Sequence, residues 1–173
     1  MSTQAIPQTA TTTWNIDPVH SVAEFKVRHM MITNVKGQFT AITGVLTLDE
    51  ADVTHSRIEV SAEAASVNTR DAQRDAHLKS ADFFDAEKFP TLAFTSTRII
   101  RTAGDELAVA GNLTIHGVTR EVMFTVEGPT APAKDPWGNT RVGVRRPRRL
   151  TAKTSASRGT PRWKQAAFSS ATR

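Results

Sequence analysis

The chain contains no cysteine among its 173 residues. This absence excludes disulfide bridges, thiolate metal sites and a cysteine nucleophile. The sequence also has no apolar run of about 18 residues, which predicts that no helix spans a membrane. Its first residues lack the basic and apolar regions of a secretory signal peptide, and from this we expect a cytoplasmic location.

Charge is distributed unevenly along the chain. The length suits one domain, and the net charge is +5. Residues 1–143 carry 13 Lys and Arg against 17 Asp and Glu, a net charge of −4, whereas residues 144–173 carry nine Lys and Arg and no acid. The last segment therefore needs a separate interpretation from the rest of the chain.

Period-two hydrophobic patterns dominate the chain after a polar, Thr-rich start at residues 1–13, which we expect to be disordered. Strands are predicted over 23–28, 35–48, 57–64, 91–101, 107–115 and 122–127, the second of them bending at Gly37 or Gly44. Turn signals separate the strands, which predicts an antiparallel sandwich or barrel. Helix is scarce, and the best candidate is a short surface helix over 69–79 with Asn68 or Thr69 as N-cap.

The sequence contains no local catalytic or metal-binding motif. The five histidines are His20, His29, His55, His77 and His116, and no two of them have HxH or HExxH spacing. No GxSxG elbow, Walker loop or GxGxxG segment occurs. We therefore predict no catalytic residue, no metal ligand and no cofactor.

Three separate segments resemble the YceI-like family in the order that the family has them. They are the run Trp14-Asn15-Ile16-Asp17-Pro18-Val19-His20-Ser21, the stretch HLKSADFFDAEKFPTLAFTS at 77–96, and LTIHGVTREV at 113–122. The resemblance covers residues 14–143 and implies an all-β, lipocalin-like antiparallel barrel with one short helix. It also implies an apolar tunnel that holds a polyisoprenoid lipid or the tail of a quinone-like ligand, without catalysis.

The predicted ligand-binding residues are the apolar faces of the strands. They are Phe25, Val27, Ile58, Val60, Leu92, Phe94, Leu107, Val109, Leu113, Ile115, Phe124 and Val126. The same faces would equally suit a solid core, and a register error of one residue would exchange the two faces. A homodimer is left open as an assembly.

Residues 144–173 depart from the family's pattern. Prolines and basic residues replace the alternating strands, so the sequence predicts a basic, disordered tail. Synonymous codons for residues 145–153 can be chosen so that one T inserted before them changes the translation to Ser-Ala-Thr-Ala-Lys-Ile-Asn-Arg-Lys. Codons chosen in the same way to residue 173 give a sequence that resembles the family's C-terminal strands. We interpret the tail as frameshifted, by a sequencing error or a real mutation. A barrel that lacks its closing strands would expose an open sheet edge and aggregate.

Two alternative functions stay open beside lipid binding. The arginines of the tail would suit phosphate contacts in a nucleic-acid-associated protein, although no known nucleic-acid motif accompanies them. A hydrolase or isomerase using His20 or His116 inside the barrel is the other alternative. A truncated barrel without function would follow if the written tail is the real product.

Overall fold

The computed structural model describes residues 11–29, 33–145 and 167–172, with the backbone alone at 27–29, 33 and 167–172. Within these ranges the chain is mostly β-structure with one short α-helix, as the sequence predicted. The strands are β1 (Thr11–Asn15), β2 (Ser21–His29), β3 (Thr33–Phe39), β4 (Ile42–Asp49), β5 (Arg57–Glu63), β6 (Val67–Asn68), β7 (Thr91–Arg101), β8 (Glu106–Ile115), β9 (Val118–Glu127), β10 (Ala133–Lys134), β11 (Thr140–Arg141) and β12 (Ala167–Thr172).

The long strand expected over 35–48 is two strands. The chain breaks at Thr40, whose backbone N–H and hydroxyl both donate to the carbonyl of Ser66. β3 and β4 consequently enter different sheets. β1 was not among the predicted strands, and it starts at Thr11, inside the segment expected to be disordered.

Two antiparallel sheets form the body of the fold. One has six strands in the order β1-β4-β5-β7-β8-β9, and the other has four in the order β12-β2-β3-β6. Among the described residues, no strand of one sheet pairs with a strand of the other, so the sheets are not closed into the barrel that the family resemblance implied.

Prolines explain why residues 128–145 form no long strand. Pro129, Pro132 and Pro136 lie directly after β9, and proline cannot donate to a β-ladder. The segment forms only the small β10–β11 hairpin and one bridge, between Glu127 and Arg145. In the described part of the chain, the free edge of β9 is therefore paired only at this bridge.

Part of the tail is a strand rather than disordered chain. β12 pairs antiparallel with β2, from Ala167 opposite Lys26 to Thr172 opposite Ser21. Residues 167–172 of the predicted disordered tail are thus a strand in the structure, while 146–166 and 173 lie outside the described residues. The frameshift interpretation stays a prediction.

The helix is shorter than the sequence predicted. α1 spans Ala72–Lys79, and its N-cap is Asp71, whose carboxylate accepts the backbone N–H groups of Gln73 and Arg74. Those hydrogen bonds satisfy two of the N–H groups that a helix start leaves unpaired. Thr69, one of the expected caps, is buried and donates instead to the carboxylate of Asp75.

The buried apolar residues form two clusters at opposite ends of the six-stranded sheet. The α1-side cluster contains Phe25, Phe39, Ile42, Ala62, Ala64, Val67, Leu92 and Ile115. The far-end cluster contains Ile99, Leu107 and Val109, with Val53, Ile58, Phe94 and Val126 packed against it. Between them, the inner face of the sheet is not filled by a third buried cluster in the described part of the chain.

Gly111 on β8 has no room for a side chain. A Cβ there would lie 2.4 Å from the carbonyl oxygen of Thr95 and 2.6 Å from the ring of Phe94. Gly111→Ala is expected to lower the free energy of unfolding by about 1–3 kcal/mol, since backbone atoms must shift. Gly143→Ala is the matched control, because its Cβ would meet nothing closer than 3.4 Å. Urea denaturation of the two variants measures the difference, and equal stabilities would contradict the prediction.

Candidate functional site

A cavity of about 420 Å³ occupies the space between the two clusters. Its walls are the inner faces of β4, β5, β7, β8 and β9, together with β1, the start of β2, residues 139–142 and Val144. Its volume lies within the range of about 300–1,000 Å³ that is usual for small-molecule sites. Most of its lining side chains are aliphatic or aromatic, so the cavity suits an apolar ligand.

The middle of the cavity is crossed by one row of paired residues. Val60 lies opposite Gly44 on β4 and opposite Phe94 on β7, and Phe94 lies opposite Leu113 on β8. On β5, Ala62 belongs to the α1-side cluster and Ile58 packs on the far-end cluster. Val60 therefore stands at the centre of the cavity floor.

Two aromatic rings form one wall of the cavity. Phe94 and Phe124 meet edge to face, with their centroids 5.2 Å apart. The absent side chain at Gly111 is what lets the Phe94 ring lie against β8. The three residues together set the width of the cavity on this side.

The structure places most of the predicted ligand-binding residues on the cavity. Eight of them line it, namely Ile58, Val60, Leu92, Phe94, Val109, Leu113, Phe124 and Val126. Phe25 and Ile115 lie in the α1-side cluster, and Leu107 lies in the far-end cluster, so these three pack as core instead of lining the cavity. The side chain of Val27 lies outside the described part of the chain. Binding by the eight stays a prediction.

Several lining residues were missed by the sequence reasoning. They are Trp14 and Ile16 at β1, Val22 and Ala23 on β2, Ile42, Val45 and Leu46 on β4, and Val142 and Val144 after β11. The alternation of Trp14 with Ile16 around Asn15 is a period-two signal that would have found the β1 wall. Residues 142–144 belong to no strand, and only the sheet arrangement brings them to the cavity.

Charged residues lie at one end of the cavity only. Among the described lining residues the charged ones are Asp17 and Arg141. The Arg141 guanidinium pairs with the carboxylate of Asp17, and its Nε donates to Asp135 Oδ2 at 2.7 Å. The Asp17 carboxylate also contacts His20 Nδ1 at 2.8 Å. Arg141 thus ties the β10–β11 hairpin to the turn between β1 and β2.

Asp135 is the best-buried carboxylate of this end. Its side chain is 9% exposed, and burial alone raises the pKa of the carboxyl group. Hydrogen bonds from the Asn139 amide and from the backbone N–H groups of Asn139, Trp137 and Gly138 outweigh burial and hold the pKa of Asp135 below its ordinary value of 3.8. The carboxylate form is therefore the one that organises the hairpin.

We expect the hairpin to loosen in acid. Because the folded pKa of Asp135 is depressed, its stabilising effect is present above pH 3.8 and is lost as the pH falls through the folded value. NMR titration of the Asn139 and Trp137 amides should show this loss below pH 3.8. Asp135→Asn, which cannot ionise, should remove the pH dependence of these amides. Amides that titrate unchanged in the variant would contradict the assignment.

His20 and His116, the histidines of the enzymatic alternative, lie in different parts of the structure. His20 lies at the polar end beside Asp17, whereas His116 lies in the β8–β9 turn against the Phe89 ring, outside the cavity lining. In the described ranges, no group of three or more His, Asp or Glu is placed to hold a metal ion. No helix within those ranges has the length and apolar character that crossing a bilayer requires.

The fold and the cavity define a small all-β protein with an apolar interior site. The chain belongs to the YceI-like domain family, whose profile matches residues 14–160. It is 37% identical over 124 residues to a UPF0312 protein of Vibrio vulnificus, an alignment that covers 72% of this chain and 65% of that protein. The chain thus spans slightly less than two thirds of the length of that relative.

Solved structures give the same fold. The Campylobacter jejuni YceI protein is 34% identical, with a TM-score of 0.58 over 69% of each chain. A polyisoprenoid binding domain from Saccharophagus degradans has a TM-score of 0.53, covering 80% of this chain and 75% of that domain. At 16% identity, the second likeness concerns the fold alone.

Proposed function

We propose that this chain binds a long isoprenoid lipid, without catalysis, in the cavity between its two clusters. The observation that carries the proposal is the cavity itself, about 420 Å³ with walls that are mainly aliphatic and aromatic. Burial in such a site favours an apolar chain by roughly 25 cal/mol per Å² removed from water. The relationship to the YceI-like family and the fold of the Saccharophagus domain support the choice of an isoprenoid.

The position of the charges suggests how the lipid lies. One end of the cavity carries Asp17 and Arg141, and the remainder is lined mainly by side chains without charge. An isoprenoid tail would extend between β5 and β9, and its head group would lie beside the polar end. The carrier or storage role and the cytoplasmic location are parts of this proposal.

The test is an organic extract of the purified chain, analysed by mass spectrometry. We expect an isoprenoid compound in amounts comparable to the protein, since a pocket of this kind buries most of the surface of its ligand. A chain purified without lipid should take up a polyprenol or a quinone from detergent micelles. An empty extract together with no uptake would refute the proposal.

A further inference from the structure

The polar end of the cavity carries more negative than positive charge. Its charged lining residues are Asp17 and Arg141, and Arg141 also pairs with Asp135. Two carboxylates thus share one guanidinium, which leaves this group with an excess of negative charge. Lys134, the remaining charged residue of the β10–β11 hairpin, is exposed and does not line the cavity. Among the described residues, no lining cation is left over to pair with an anionic ligand.

Three neighbours hold the Asp17 carboxylate in place at this end. Its Oδ1 accepts the backbone N–H of Val19 at 2.9 Å, and its Oδ2 contacts both Arg141 Nη1 and His20 Nδ1. Because the side chain lines the cavity, a head group that lies here meets a fixed negative charge. A protonated His20 would cancel that charge, but an ordinary histidine, with a pKa of about 6.5, is neutral at about pH 8.

Neutral hydrogen-bonding groups line the rest of the polar end. They are the side chains of Asn15, Ser21, Asn139 and Thr140. The Thr140 hydroxyl and Arg141 Nη2 make no hydrogen bond to any residue whose side chain the structure describes. A hydroxyl group can donate or accept, and Nη2 can donate. The hydroxyl or carbonyl oxygen of a lipid therefore finds partners here without bringing a charge.

A phosphate head group would meet a less favourable environment. Its charge would face Asp17, while Arg141 is already engaged by two carboxylates. Like charges a few ångströms apart repel, and the repulsion is stronger beside apolar walls than in open water. The same isoprenoid tail is therefore held more tightly when it ends in an alcohol or a carbonyl group than when it ends in a phosphate.

We propose that Asp17 and Arg141 select the head group of the bound isoprenoid, admitting a neutral alcohol or carbonyl compound and disfavouring an isoprenoid phosphate. Arg141 Nη2 donates to the oxygen of the head group, and Asp17 supplies the charge that repels an anion. The inference rests on the function proposed above, since it concerns the same cavity.

The experiment is a competition between two lipids that have the same tail. The lipid-free chain is incubated at about pH 8 with detergent micelles that contain equal amounts of geranylgeraniol and geranylgeranyl phosphate. Mass spectrometry then measures the ratio of the two lipids that the chain has bound. We expect the alcohol to be enriched about tenfold over the phosphate.

Two variants assign the preference to the polar end. Asp17→Asn removes the charge and keeps an oxygen for the Val19 N–H, and it should lower the preference about fivefold or more. Glu59→Gln is the matched control, because Glu59 also pairs with an arginine, Arg57, but lies outside the cavity lining. It should keep the preference of the unmodified chain. If Asp17→Asn does not fold, Thr140→Lys adds a positive charge at the same end and should lower the preference likewise.

The outcomes separate head-group selection from lipid binding itself. Equal uptake of the two lipids by the unmodified chain, or a larger uptake of the phosphate, would overturn the selection while leaving isoprenoid binding intact. The selection would also be wrong if the Asp17 and Glu59 variants had the same preference, since both are exposed to the same micelles. Uptake of neither lipid by the folded chain would refute the function proposed above together with this inference.

Discussion

Phe39→Ala is expected to lower the free energy of unfolding by about 3–5 kcal/mol, the usual cost of deleting a buried aromatic side chain. Phe39 is 1% exposed and lies in the α1-side cluster. Its ring centroid is 5.5 Å from that of Phe25 on β2 and 5.5 Å from that of Phe84 in the segment after α1. The Phe39 side chain, on β3, thus packs β2 and β3 against the segment after α1.

Urea denaturation followed by circular dichroism measures the effect. Phe83→Ala is the matched control, because Phe83 is only partly buried and its ring contacts the exposed His77 instead of the cluster. We expect the Phe83 variant to lose less than half as much stability. If Phe39→Ala does not fold, Phe39→Leu should cost about 1–2 kcal/mol by a smaller change in volume. Equal losses at positions 39 and 83 would contradict this role of Phe39.

The alternation of β5 is the clearest pattern behind the predicted ligand-binding residues, whose binding stays a prediction. Ile58 and Val60 on β5, and Phe124 and Val126 on β9, line the cavity, although their pattern suited a solid core equally. Alternation identifies a face, but it does not tell a lining position from a packed one. Leu107 and Ile115 share the face of Leu113 on β8, and they pack into clusters because they lie near the two ends of the strand.

The polar end could not be predicted from local patterns. Asp17 and Arg141 are 124 residues apart in the chain, and no periodicity relates a turn to a distant hairpin. Barrel closure could not be predicted from local patterns either. It depends on which distant segment of the chain pairs with the edge of β9. The prolines after Gly128 were a visible signal that a long strand ends there.

Val60→Trp is expected to abolish retention of an apolar ligand while leaving the fold intact. Val60 stands at the centre of the cavity floor, between the two clusters, so an indole there would project across the path of a long chain. A ligand that loses roughly 100 Å² of apolar contact loses about 2.5 kcal/mol of binding free energy, which is close to a hundredfold in Kd. The measurement is the lipid content of the purified variant and its uptake of a polyprenol.

The control carries the same substitution outside the cavity. Val118→Trp places an indole on β9 at a position that is 41% exposed and does not line the cavity. It should retain lipid like the unmodified chain, and circular dichroism should show both variants folded. If Val60→Trp is misfolded, Val60→Phe tests the same position with a smaller ring. A folded Val60 variant that retains as much lipid as the Val118 variant would show that the ligand lies elsewhere, and the cavity between the clusters would then lose its proposed function.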